Sequence, residues 1–245
     1  MRTSVVIPAF EDGAALLANL PRVAALAGDK ELIVADAGGN EAALARACGL
    51  GVRVVACAPS RGGQMRAGAA VATGERLLFL HADCWLDEGA LASAEVELSR
   101  PGIIAVVFTQ RIEGERRAYR WIEAKATRRA LRSSRPYGDS GLYLRRADLE
   151  RIGGYPALPL CEDLAVGRDL AKLGRFAVSS ALIHLSARRW ERLGVIRTTL
   201  MNSAVALAFL LGVAPAKLYR WYYGRGVPTK DGRRARADGE RGEER

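Results

Sequence analysis

Between residues 3 and 100 the chain alternates short, unbroken apolar runs with stretches of helical apolar spacing. The runs fall at 5–7, 32–35, 52–56 and 76–80, and the helical stretches at 13–26, 41–47 and 64–72. Such runs are too short for stable helices and lack the polar alternation of a strand with one wet face. They suit strands covered on both faces, as in a parallel sheet. Strand and helix alternating in this way predict a doubly wound, mostly parallel α/β sheet flanked by helices. Beyond residue 100 the pattern loosens. It predicts strands at 103–108, 141–145 and 176–183, a basic amphipathic helix over 116–132, and helices over 162–173 and 190–211. After Trp221-Tyr222-Tyr223 the chain turns Gly-rich and charged, and 224–245 reads as a disordered tail.

Length allows one α/β domain, or one with a small appendage: 245 residues, 49% hydrophobic. Cys48, Cys57, Cys84 and Cys161 form no C-x-x-C pair and read as reduced thiols. His81 and His184 are the only histidines, which excludes a multi-histidine metal site. The apolar start is followed at once by Glu11 and Asp12, so no secretory signal is expected. The longest apolar run, 204–214, is shorter than the ~20 residues a bilayer span needs. A cytoplasmic protein is expected. Net charge is +10, and the last 21 residues contribute only seven basic against five acidic groups. The remaining +8 suits a phosphate-bearing partner, whether nucleotide, anionic membrane or nucleic acid, and it also fits a plain arginine-rich composition.

In an open parallel sheet, ligands bind at the carboxyl ends of the strands. Glu11, Asp36 and Asp83 stand at such ends. No G-x-G-x-x-G follows the first strand and no G-x-x-x-x-G-K-[ST] occurs, so dinucleotide and P-loop readings fail. Asp83 closes a buried run. It is placed to hold Mg²⁺ or Mn²⁺ against a diphosphate, or to serve as a turn aspartate before a helix near Glu88. Arg61-Gly62-Gly63-Gln64-Met65-Arg66 offers backbone amides and guanidinium forks to phosphate, or simply caps a helix. Cys161-Glu162-Asp163 offers a general base, or carboxylates favoured at a helix start by the dipole. Tyr137-Gly138-Asp139-Ser140-Gly141 reads as a turn, and His184 as a metal ligand or a core histidine.

Taken in order, these signals resemble an inverting family-2 glycosyltransferase. They are Val5-Val6-Ile7-Pro8-Ala9-Phe10-Glu11, Asp36-Ala37-Gly38-Gly39, Leu78-Phe79-Leu80-His81-Ala82-Asp83, Gly153-Gly154-Tyr155-Pro156 and Cys161-Glu162-Asp163. A closer likeness, to the radical-SAM/selenodomain-associated transferase 2 subgroup, is carried by 61–70, the Gly138-Asp139 turn and Ser186-Ala187-Arg188-Arg189-Trp190-Glu191-Arg192. The resemblance spans 3–223 and implies a GT-A fold, a nucleotide-diphosphate sugar donor and a divalent metal, Mg²⁺ or Mn²⁺. It implies a donor-binding half over about 1–100, a catalytic and acceptor half over about 101–190, and C-terminal helices over about 190–223. By the same resemblance, Pro8, Ala9 and Glu11 would hold the nucleotide and Asp36 would lie near the base. Arg61 and Gln64 would line the donor pocket. Asp83 matches the last acid of the D-x-D motif, and Asp163 matches the base, beside Glu162. Gly138 and Asp139 would lie near sugar or acceptor, and Arg188, Arg189 and Trp190 near the diphosphate. Two departures stand out: His81, with Ala82 after it, replaces the first D-x-D acid, and the usual serine after Asp36 is lost.

The expected reaction is sugar transfer to an acceptor hydroxyl with inversion. A nucleotidyltransferase would share sheet and metal but usually has a Gly-rich Arg/Lys loop where this chain has Ala9-Phe10-Glu11-Asp12. A non-enzymatic basic module finds support in 116–135 and in Lys217-Leu218-Tyr219-Arg220-Trp221-Tyr222-Tyr223. Nucleic acid is not expected as a partner. The 190–223 region is read either as a peripheral membrane contact at the inner face or as packing on the core or a second subunit.

Overall fold

The computed structural model describes residues 1–133 and 138–224. The tail from 225 onward and Tyr137 therefore lie outside the described residues. The first half runs β1 (Thr3–Ala9), α1 (Gly13–Ala25), β2 (Lys30–Asp36), α2 (Glu41–Arg46), β3 (Val52–Ala56), α3 (Arg61–Val71) and β4 (Arg76–Phe79). The second half runs β5 (Cys84–Leu86), α4 (Ala90–Leu98), β6 (Ile103–Ile112), α5 (Arg117–Ser133), β7 (Leu142–Arg145), α6 (Arg146–Arg151), α7 (Glu162–Leu170) and β8 (Arg175–Leu185). Three helices follow: α8 (Arg188–Leu193), α9 (Val195–Leu210) and α10 (Pro215–Tyr223). No helix among the described residues is long and apolar enough to cross a membrane.

One sheet of eight strands runs in the order β3-β2-β1-β4-β7-β6-β8-β5. The pairings β3–β2, β2–β1, β1–β4 and β6–β8 are parallel, and β4–β7, β7–β6 and β5–β8 antiparallel. The expected α/β sheet is present, parallel in its first half and mixed in its second. Every residue of β1 and β4 is buried. Successive side chains leave a strand on opposite faces, so Val5, Ile7 and Leu78 enter one core layer with Leu16 and Leu20 of α1. Val6, Leu77 and Phe79 enter the other with Met65 of α3.

Burial on both faces does not hold for β3, whose Val54 is 47% exposed. It is an edge strand with one neighbour. The helix expected over 190–211 is two helices, broken at Gly194, whose φ of 81° and ψ of 145° are non-helical. The second of them ends before α10, which Pro215 starts at a position where its missing N–H costs nothing. Elements β5 and α6 have no counterpart in the pattern read from the sequence.

Candidate active site

A cleft of about 440 Å³ opens at the carboxyl ends of β1 and β4, and α7 to α10 close its far side. Pro8, Phe10 and Asp12 enter it from the end of β1. Gln64 forms part of the floor, and its Nε2 donates to the carbonyls of Ala9 (2.8 Å) and Ala35 (2.9 Å). That side chain pins the ends of β1 and β2 together. The two glycines before it do not present free amides. Gly62 N–H donates to Leu158 O, Gly63 N–H to the N-cap hydroxyl of Ser60, and Gln64 N–H to Ser60 O. The helix-capping reading holds for the backbone, and Arg66 is spent on Tyr155 O and Gly153 O. Arg61 alone of this motif's cations reaches the cleft.

The His81-Ala82-Asp83 turn follows β4 and is fixed from below, where the buried Asn19 donates to Ala82 O at 2.9 Å. Asp83 is 42% exposed and its Oδ2 lies 3.8 Å from Arg188 on α8. His81 lines the cleft, and its Nε2 is shielded from solvent without a partner. Burial lowers the His81 pKa, Arg61 lowers it further and Asp83 opposes, so the imidazole is neutral. Asp12 shares the cleft with Asp83. Burial raises its pKa, and the Asp83 charge adds to that against a bond from Phe10 N–H.

Across the cleft, Cys161 takes left-handed φ (61°) and starts α7. Glu162 is buried, 3.7 Å from Arg61 Nε, while Asp163 is half-buried and accepts from Leu164 N–H at 2.7 Å. Burial raises the Glu162 pKa, and the Asp163 charge adds to it against Arg61. Gly138 opens a short turn whose Asp139 lines the cleft. Gln110 of β6 donates to Asp139 Oδ1 (2.7 Å) and Ser140 Oγ (3.0 Å). Burial pushes the Asp139 carboxyl up to about 6; Arg129 and the Gln110 bond pull it down, and the charges of Asp163 and Asp83 push it up. Trp190 backs the cleft, its ring 6.2 Å from that of Tyr119. The side chain of Arg189 lies outside what is described.

A sequence model of "Glycosyl transferase family 2" matches residues 4–153, more than half of the chain. The chain belongs to glycosyl transferase family 2. The mannosyltransferase PcManGT from Pyrobaculum calidifontis, in complex with GDP-Man and Mn2+, has a TM-score of 0.66 at 19% identity, covering 91% of this chain and 69% of that chain. S. aureus TarS 1-349 in complex with UDP-GlcNAc has a TM-score of 0.60 at 14% identity. There the match covers 76% of this chain and 58% of that one, so this chain spans less than two thirds of its length. These likenesses show a GT-A-like fold. Among curated proteins none matches the sequence.

Within this family 2 chain the cleft gathers Pro8, Arg61, Gln64, His81, Ala82, Asp83, Asp139, Glu162, Asp163 and Trp190. It leaves out others. Glu11 is exposed, with φ 55°, and turns away from the lining. The Asp36 carboxylate accepts from Gly38 N–H and Asn40 Nδ2 and shapes its own turn. Ala9 is wholly buried and contributes its carbonyl to Gln64. His184 is neither core nor cleft: it stacks on Trp85 and bonds Asp87 and Glu113, each at 2.8 Å. Residues the sequence reading missed are Asp12, Gln110 and the α10 tyrosines Tyr219, Tyr222 and Tyr223. The tyrosines' i, i+3, i+4 spacing was a legible sign of one shared face. Among the described residues no group of three His, Cys, Asp or Glu is set to hold a metal. The half-exposed Asp83 carboxylate, with Asp12 near it, would nonetheless offer hard oxygen donors of the kind Mg²⁺ or Mn²⁺ accepts.

Proposed function

We propose that the protein transfers a sugar from a nucleotide-diphosphate donor to an acceptor hydroxyl with inversion. The observation that carries the reading is one cleft with a half-buried carboxylate, Asp163, on one wall and the half-exposed Asp83 on the other. Asp163 takes the acceptor proton. Its neighbour Glu162 is committed to Arg61 and shielded from solvent, which makes it the poorer base. Arg61, which lines the cleft, faces the charge that grows on the departing diphosphate. Asp83, with Asp12 beside it, would hold a divalent cation; bound there, such an ion supplies further neutralisation of that charge. A single displacement needs no covalent enzyme intermediate, so one base suffices. His81, neutral, lines the cleft where the D-x-D motif that the sequence resembles carries its first acid. The GDP-Man and Mn2+ of one structural neighbour and the UDP-GlcNAc of another support a nucleotide sugar and a metal here. The nearer likeness to the radical-SAM/selenodomain-associated transferase 2 subgroup rests on the sequence pattern alone.

The test is Asp163→Asn, assayed with UDP- and GDP-sugars in the presence of Mn²⁺. Loss of the base lowers kcat by about 10²–10⁴-fold while nucleotide affinity stays near wild type. Near-normal kcat would remove Asp163 from this role.

A further inference from the structure

Helices α9 and α10 have two unlike faces. Inward, Thr198 and Val205 of α9 and Leu218 of α10 are buried, and Tyr222 Oη donates to Asn202 Oδ1 at 2.7 Å, tying the two together. Outward, α9 and the Leu211 that caps it show Ile196 (75% exposed), Leu200 (65%), Leu207 (59%) and Leu211 (77%). At 100° per residue these positions fall on one side of the helix, opposite Val205, in a stripe roughly 20 Å long. A water-facing helix normally has its polar side there. On α10, Lys217, Arg220 and Trp221 share the outward face, with Trp221 59% exposed. From Arg192 to Gly224 the chain carries Arg192, Arg197, Lys217 and Arg220, all exposed, and no acid at all.

We propose that the α9–α10 hairpin docks this protein onto the surface of an anionic lipid bilayer, lying in the interface without crossing it. An apolar stripe beside lysine, arginine and an exposed tryptophan is the composition of an interfacial anchor. Charge decides between membrane and a second copy. A two-fold pairing through this face would bring the cations of two copies, Lys217 and Arg220 among them, to one seam, with no acid from Arg192 to Gly224 to answer them. Anionic headgroups answer them directly. The proposal does not rest on the transfer chemistry.

The full-length protein is floated with vesicles of phosphatidylcholine alone and of phosphatidylcholine with phosphatidylglycerol, at low and high salt. Binding to the anionic vesicles at low salt and release at high salt are expected. Lys217→Ala/Arg220→Ala weakens partitioning about 30-fold, at roughly 1 kcal/mol per basic residue. Leu200→Ser/Leu207→Ser weakens it as well, and both positions are exposed enough to leave the fold intact, which a thermal melt verifies. Failure to float with anionic vesicles at low salt overturns the proposal, as does equal binding to both vesicle types or indifference to both double changes. A wild-type dimer that ignores vesicles, and that the leucine changes split, would assign the face to a second copy and equally overturn it. Should a variant unfold, the lipid and salt dependence of the wild type decides.

Discussion

Glu11 and Cys161 are the two described non-glycine residues with left-handed backbone, φ 55° and 61°. Such a conformation costs of order 1 kcal/mol or more, and it clusters where a side chain must be aimed. At residue 11 the twist sends Glu11 to solvent and leaves Asp12 facing the cleft. Two adjacent acids are indistinguishable in sequence; the family resemblance points to Glu11, and it is Asp12 that lines the cleft. By contrast Asp83, Arg61 and Asp163 stand at strand ends and helix starts, where side chains converge, while Trp190 is marked by the family resemblance alone; all four line the cleft. Asp139 provides a prediction at this scale. Its folded pKa, about 6 against an ordinary 3.8, is raised first by burial. A carboxyl raised in this way favours the folded state most when protonated, below its ordinary pKa, and that contribution is lost as pH rises through about 6. Thermal melts of wild type and Asp139→Asn should therefore diverge between about pH 4 and 6 in favour of the variant, by at most about 3 kcal/mol. Parallel curves would remove the burial effect.

At the scale of elements, the apolar runs located β1, β2 and β4 because all three sit deep in the sheet. The pattern was silent on β5, whose three residues are too few to show any period. It also ran through Gly194, since one glycine leaves helical spacing intact on either side; only its backbone angles break the helix. The turn opening α3 tests the packing reading of its glycines. A Cβ on Gly62 would lie 2.3 Å from Pro156 O and 2.6 Å from Leu158 N, whereas on Gly63 the nearest atoms, of Ser60, are at 3.3 Å. Alanine adds up to about 1 kcal/mol of helix propensity at either site. At Gly62 the backbone clash outweighs it, with a net loss of about 1–3 kcal/mol or more. Urea unfolding should rank Gly62→Ala well below Gly63→Ala, and equal midpoints would mean that the turn is not packed on the 156–158 loop.

The whole molecule divides its labour along the sheet. The parallel half brings strand ends to one edge of the cleft, and the mixed half brings Asp139, held from behind by Gln110, and the α7 carboxylates to the other. A ligand that bridges the two halves binds only the native chain. A nucleoside diphosphate with Mn²⁺ at about 100 times its Kd should add about 2.7 kcal/mol to stability and raise Tm by several degrees. EDTA, or Asp83→Ala, should remove the metal-dependent part of that rise and of the turnover; an unchanged shift would take Asp83 out of metal binding. One further consequence follows from where the four tryptophans lie. Trp190 is 9% exposed at the back of the cleft, Trp121 and Trp221 are 58% and 59% exposed, and Trp85 is stacked on His184; none of these other three lines the cleft. The protein thus contains its own optical reporter, a shielded indole emitting at shorter wavelength than the wet ones and lying against the arriving ligand. Nucleotide titration should alter that blue component in the wild type and leave the emission of Trp190→Phe unchanged.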